Sequence, residues 1–316
     1  MKLLCRHGLR VPLALTLALM CTETALPDTI FVTDSPSGTT GEGTIGEYAT
    51  SGAAINPVLI SGLNDPISIA ISGPDLFVLN GNGTIGEYDI SGATVNPALI
   101  SGLSDPGSIA ISGPDLFVTL NTHSGGAVGE YTTSGATVNP ELISGLGTVI
   151  GIAASGSDLF VGDISADTIG EYTTSGATVN PALITGLNVP LNIAISGSDI
   201  FVTNNFGATD NTIGEYTTVG ATVNPALVSG LTNASGLAVS GSDLFVTNGV
   251  PVNTIGEYTT SGTPVNPALI SGLIGPGGIA IVVPEPSTLA LFVLGLAALG
   301  WWSIRYSHLL IKSKRS

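Results

Sequence analysis

Apolar positions between residues 29 and 282 fall in short runs separated by Gly, Ser, Asn and Asp, and no stretch there repeats with the 3.6-residue period of an amphipathic helix. Residues 192–230 show the unit most clearly. A first strand, Asn192-Ile-Ala-Ile195, meets Ser196-Gly-Ser-Asp199, which has the residues of a tight hairpin. A second strand follows at Ile200-Phe-Val-Thr203. After a loop of variable length comes a third, Thr212-Ile-Gly-Glu-Tyr-Thr217. A turn at Gly220 leads into a fourth, Thr222-Val-Asn-Pro-Ala-Leu-Val228.

This unit recurs. Gly-Glu-Tyr places Tyr48, Tyr88, Tyr131, Tyr172, Tyr216 and Tyr258 at intervals of 40, 43, 41, 44 and 42 residues. A period in the low forties with four strands per repeat predicts the blades of a β-propeller. Asn-Pro recurs inside every fourth strand, at Pro57, Pro97, Pro140, Pro181, Pro225 and Pro267. Proline cannot donate to a ladder, so this strand is predicted to be the outer edge. First and second strands, such as Ser68-Ile-Ala-Ile71 and Leu76-Phe-Val78, are almost continuously apolar, as expected of inner strands packed on both faces. The body opens on a second strand, Thr29-Ile-Phe-Val32, without a first, and ends on a first strand, Gly278-Ile-Ala-Ile-Val282, without a second. Joining them completes one blade from both termini. The expected fold class is thus all-β, a six-bladed propeller over residues 26–283, with helices only in the terminal segments. In strand order the repeat resembles NHL-type and related six-bladed propellers; the Gly-His and Trp-Asp signatures of WD40 repeats are absent.

The two ends read as addresses. Residues 1–25 contain Lys2, Arg6 and Arg10, an apolar run from Val11 to Met20 and then small residues, the order of a secretory signal, with cleavage expected after Ala25. Residues 284–316 begin with Pro284-Glu285-Pro286, continue in an apolar run from Leu289 to Ile304, and close with Arg305, Lys312, Lys314 and Arg315. That order resembles the PEP-CTERM sorting signal of Gram-negative bacteria. The resemblance implies recognition by an exosortase-type processing enzyme, cleavage near the tripeptide, transient residence in the inner membrane through residues 289–304, and delivery to the cell surface or extracellular matrix. A permanent C-terminal anchor is the alternative for a run of this length.

Charge changes the picture mainly by exclusion. The 316 residues include 23 acidic and 7 basic ones, and residues 11–304 contain no Lys or Arg. Nucleic-acid binding through a basic groove is ruled out, since nothing in the body neutralises phosphate. Cys5 and Cys21 both lie in the leader, which leaves the body without thiol or disulfide chemistry. No cofactor is expected. Ca²⁺ is the one cation worth naming for so acidic a body, but no Asp-x-Asp-x-Asp-Gly loop is present, so diffuse screening is expected instead of a metal site.

Connections between second and third strands vary most and share a predicted face with those between fourth and first strands. The ligand-face candidates there are Asp34, Asn80, Asn82, Asn121, His123, Asp163, Asn204, Asn205, Phe206, Asp210 and Asn248, although Asn, Asp and Gly are also the ordinary turn formers. Glu47, Glu87, Glu130, Glu171, Glu215 and Glu257 recur once per blade and are expected to be structural, accepting bonds from neighbouring strands or Tyr hydroxyls. His123 is the body's single histidine and has no nucleophile context around it, so no catalytic residue is assigned. The expected function is a non-enzymatic exported scaffold binding extracellular glycan or a surface protein. The alternative is a secreted metal-dependent propeller hydrolase or lyase acting on a sugar lactone or polysaccharide. The two differ at the channel mouth, where the enzyme needs converging Glu, Asp and Asn.

Overall fold

The computed structural model describes residues 28–36, 40–205, 207 and 210–282; the signal and sorting segments, and the helices expected in them, lie outside this set. Among the described residues there are 24 strands in six four-stranded antiparallel sheets, each sheet one blade. Asp28–Val282 form one compact unit.

The first blade joins the chain's two ends. Pro276–Val282 is its innermost strand and pairs antiparallel with Thr29–Asp34, with Ile30 opposite Ile281 and Phe31 opposite Ala280. Thr40–Ala49 and Ala54–Asn64 complete it. The third strand here begins at Thr40, earlier than the repeat suggests, because Thr40 pairs with Asn64 at the far end of a lengthened fourth strand. The other five blades are each continuous in sequence. Their innermost strands are Pro66–Ser72, Pro106–Ser112, Val149–Ser155, Pro190–Ser196 and Ala234–Ser240. The six innermost strands touch in cyclic order, and the strand supplied by the C-terminal end closes the circuit.

Burial explains the closure. Six hydrophobic clusters each span two neighbouring blades. One packs Phe31, Ile45 and Ile60 against Ile69, Leu76, Val78 and Tyr88, and another carries the closing interface, where Ile30, Val32 and Ile279 meet Phe245 and Ile255. Each blade places one fully buried phenylalanine on its second strand: Phe31, Phe77, Phe117, Phe160, Phe201 and Phe245. The hairpins between first and second strands have glycine at the first central position, with φ between +56° and +60° at Gly73, Gly113, Gly156, Gly197 and Gly241, the backbone that tight two-residue hairpins require.

The Gly-Glu-Tyr marker is a packing unit. The tyrosine ring folds back across its own glycine, so a Cβ at Gly86 would lie 2.8 Å from Tyr88 Cε2. The intervening glutamates depart from expectation. None accepts a hydrogen bond among the described residues; each is partly exposed and sits opposite the fourth-strand asparagine of its own blade, as Glu87 does Asn96. Burial raises the pKa of all six, and in five blades the hairpin aspartate adds to the rise, as Asp75 does for Glu87.

Candidate functional site

The innermost strands position the axial opening. Each begins with a bulge, seen as a register shift between Pro66 and Ser68, Pro190 and Asn192, or Ala234 and Leu237, and the bulged residues turn toward the axis. A bulge leaves backbone groups unpaired. Threonines on the second strands repair them. Gly278 N–H donates to Thr33 Oγ1 at 2.7 Å, Ser108 N–H to Thr119 at 2.8 Å, Asn192 N–H to Thr203 at 3.0 Å and Gly236 N–H to Thr247 at 2.6 Å. Three of these hydroxyls then donate across the blade boundary, Thr119 to Ile150 O at 2.7 Å, Thr203 to Ser235 O at 3.1 Å and Thr247 to Gly277 O at 3.0 Å. Sequence reasoning missed them. The available signal was a hydroxyl residue recurring in four of six otherwise apolar second strands, with Leu79 and Gly162 in the remaining two.

The bulges enclose an axial cavity of about 280 Å³, whose wall takes residues from every blade: Gly277 and Gly278, Ile67 and Ser68, Gly107 and Ser108, Ile150, Leu191 and Asn192, Ser235 and Gly236. No Asp, Glu or His lines it. Ser68 Oγ and Ser108 Oγ lie 3.1 Å apart in a shared hydrogen bond. Among the described residues no group of three or more His, Cys, Asp or Glu is arranged to hold a metal ion.

The loop residues singled out from sequence do lie at the ends of second strands and in the loops that follow, but most hold backbone. Asp34 Oδ1 accepts from Ile274 N at 2.9 Å and Gly275 N at 2.7 Å, pinning the loop that enters the closing strand. Asp163 accepts from Gly147, Ser165 and Ala166 N–H groups at 2.7, 2.9 and 3.1 Å. Asn121 bonds Val149 in both directions, its Oδ1 accepting at 2.9 Å and its Nδ2 donating at 3.0 Å, and so ties the third blade to the fourth. Asn80, Asn204 and Asn248 are 3–4% exposed, and Asn248 lines a cavity of about 210 Å³ beside Thr232, Thr254 and Tyr258. Asn80 Nδ2 donates to Thr84 Oγ1 at 3.2 Å, while its Oδ1 is buried without a partner. Asn82 Oδ1 accepts from Thr84 and Asn205 Oδ1 from Gly207 N–H. Asp210 is exposed with φ +66°, and His123 is exposed in the turn between Asp115–Thr122 and Gly125–Thr132. Phe206 lies outside the described residues, as do Pro284, Glu285 and Pro286. The described candidates therefore lie at the ends of second strands or in the loops that follow, and none of them lines the axial cavity.

Residues 282–305 match the PEP-CTERM protein-sorting motif. The chain is an exported propeller protein carrying this signal, whose processing belongs to an exosortase-type enzyme and whose sorting passes through the membrane. No curated protein matches the chain. Among solved structures the propeller is similar to a chain in a crystal structure of a nidogen/laminin complex, with 14% identity over 82% of this chain and 100% of that one and a TM-score of 0.62. It is also similar to TolB from Acinetobacter baumannii, at 13% identity over 82% and 67% of the two chains and a TM-score of 0.60. A functionally unknown protein from Desulfotomaculum acetoxidans DSM 771 gives 18% identity over 81% and 90%, with a TM-score of 0.57. At these identities the likeness is one of fold.

Proposed function

We propose that this exported propeller is a non-enzymatic binding or structural scaffold at the surface, or in the extracellular matrix, of a Gram-negative bacterium, where its disc meets glycan or protein. The observation that carries the reading is the wall of the axial cavity. A metal-dependent or acid–base enzyme needs carboxylates, imidazoles or metal ligands converging where a substrate can sit. Here that place is lined by glycine, serine, aliphatic residues, Pro106 and one asparagine. Two of the three candidate loop carboxylates, Asp34 and Asp163, are already committed to backbone N–H groups. The sorting motif supplies the route outward, with cleavage near Pro284-Glu285-Pro286 releasing the body.

The test is an unbiased glycan and surface-protein binding screen on the purified chain, run beside assays for release of product from polysaccharides and sugar lactones with added divalent metals. Saturable binding without turnover is expected. Metal-dependent turnover would replace the scaffold by the enzyme. Intact-mass measurement on protein from the native host checks the route: the segment holding Trp301 and Trp302 should be missing, and its retention in most molecules would make that segment a permanent anchor.

A further inference from the structure

The axial cavity is uncharged and does not keep the sixfold symmetry of the ring. Ile150, Leu191 and Asn192 come from adjacent blades and make one stretch of the wall bulky, Ile67 stands across from them, and Gly236, Gly277 and Gly278 leave the stretch between Ser235 and Ile67 bare. Asn192 is the sole carboxamide in that wall. Its backbone N–H is satisfied by Thr203, but its side chain has no hydrogen-bond partner among the described residues. An amide in this position offers two donors and an acceptor beside apolar surface.

We propose that the cavity receives the acetamido group and ring of a neutral N-acetylated amino sugar at the end of a glycan, an inference that rests on the binding reading above. Three properties of the wall select this class. Its volume, about 280 Å³, falls just below the range of pockets for drug-sized ligands, which suits one ring-sized unit. Charge excludes anions, because residues 11–304 hold no Lys or Arg and the acidic body repels them, while cations find no carboxylate in the wall. A plain hexose would turn hydroxyls onto Ile150 and Leu191 and lose their hydration. An acetamido group instead places a methyl against those side chains and an amide N–H and C=O opposite the free carboxamide of Asn192. The Ser68–Ser108 pair uses one hydroxyl hydrogen between its members and keeps the other for a ring hydroxyl.

Titration calorimetry on the full chain with N-acetylglucosamine and with glucose tests this, in the native protein and in Asn192→Leu. Saturable millimolar binding of N-acetylglucosamine is expected, with glucose at least tenfold weaker and the variant weakened at least tenfold at an unchanged melting temperature. Asn192→Asp keeps the side-chain shape and adds a charge; it should also lose binding, and it serves if the leucine variant fails to fold. Equal binding of the two sugars, absence of saturation, or native-like binding by a folded variant overturns the proposal. If the screen finds another glycan or a protein whose binding ignores both Asn192 variants, this inference falls and the scaffold stands. If the chain binds nothing, both fall.

Discussion

The innermost and outermost strands of each blade use the same β-branched residues under opposite rules. On the inner strands Ile69, Ile109, Ile152, Ile193 and Ile279 are 4–8% exposed. On the outer strands Ile55, Val95, Val138, Val179, Val223 and Val265, all at one repeat position, are 51–57% exposed. An exposed β-branched residue on a free edge ordinarily invites another strand. Here the two residues that follow blunt the edge: Asn96 Oδ1 accepts Ala98 N–H at 3.2 Å and Pro97 has no N–H to offer, a device repeated at Asn139, Asn180, Asn224 and Asn266. The axis is held by burial and by bonds across blade boundaries. The perimeter buries only part of each outer strand, at Ile60, Ile100, Ile143, Ile184, Val228 and Ile270, and protects the exposed remainder by withholding donors. Stability is therefore expected to concentrate at the axis.

The strongest test of that contrast is to cut the closing strand. Residues 26–277 lack most of Pro276–Val282 and should be less stable than residues 26–284 by several kcal/mol, at about 25 cal/mol per Å² of apolar area uncovered on Ile30, Val32 and their neighbours in the sixth blade. A linear array would lose only one end. Denaturant unfolding measures the difference, and equal midpoints with both forms monomeric would mean that the ring does not depend on its termini.

A point substitution makes the same comparison on a smaller scale. Thr247→Val keeps the shape but strands the Gly236 N–H and the Gly277 carbonyl, and should cost about 1–3 kcal/mol. Val95→Thr at the perimeter should stay within about 0.5 kcal/mol, since that side chain is already half in water. Similar costs for the two would erase the distinction between axis and edge.

Legibility follows this division. Blade number, strand order, the outer edge and terminal closure could be read from sequence, because they rest on repeat period, on proline and on apolar runs, all local signals. The bonds of Thr33, Thr119, Thr203 and Thr247 could not, because their partners exist only once the bulges form, and a bulge at Gly107-Ser108 or Ser235-Gly236 looks like any small-residue pair. For the same reason Asp34 and Asp163 resembled ligand residues. An aspartate that caps a distant loop and one that faces solvent have the same local sequence, and only the fold brings Gly275 or Gly147 to them. The expectation for the repeated glutamates failed differently: the tyrosine hydroxyl that was to serve them belongs to a ring folded over the glycine before them.

These glutamates give the next prediction. Burial raises their pKa above the usual carboxylate range, with Asp75, Asp115, Asp158, Asp199 or Asp243 adding to it in five blades. The folded state thus holds these protons more tightly than the unfolded chain. Their contribution is fully present below the unfolded carboxylate pKa of about 4.3 and is lost as pH rises through the raised values. Asp89 has the opposite sign, lowered by its bonds from Ser91 and Ala93, and acts only at lower pH. The melting temperature should therefore be higher near pH 5 than near pH 7.5, with a smaller difference in Glu171→Gln. A rise in stability toward neutral pH would contradict the assignment.

The smallest expected effect is ionic, and it separates the two regions once more. Residues 28–282 contain 21 carboxylates and no Lys or Arg, while the wall of the axial cavity contains no charge. Repulsion among exposed carboxylates acts over distances comparable to the screening length, about 10 Å at 0.1 M salt and 3 Å at 1 M. A few hundred millimolar NaCl should therefore raise the melting temperature by roughly a few degrees, and millimolar Ca²⁺ should do the same by diffuse association. Because the charges lie off the axis, Asp75→Asn combined with Asp115→Asn should reduce the salt response, whereas Asn192→Leu should leave it unchanged. Thermal melts across a salt series distinguish the cases. Stabilisation by micromolar Ca²⁺ with no response to NaCl would replace diffuse screening with a specific metal site among the loops. A salt response lost in Asn192→Leu would instead mean that the axis, and not the acidic faces, carries the ionic sensitivity.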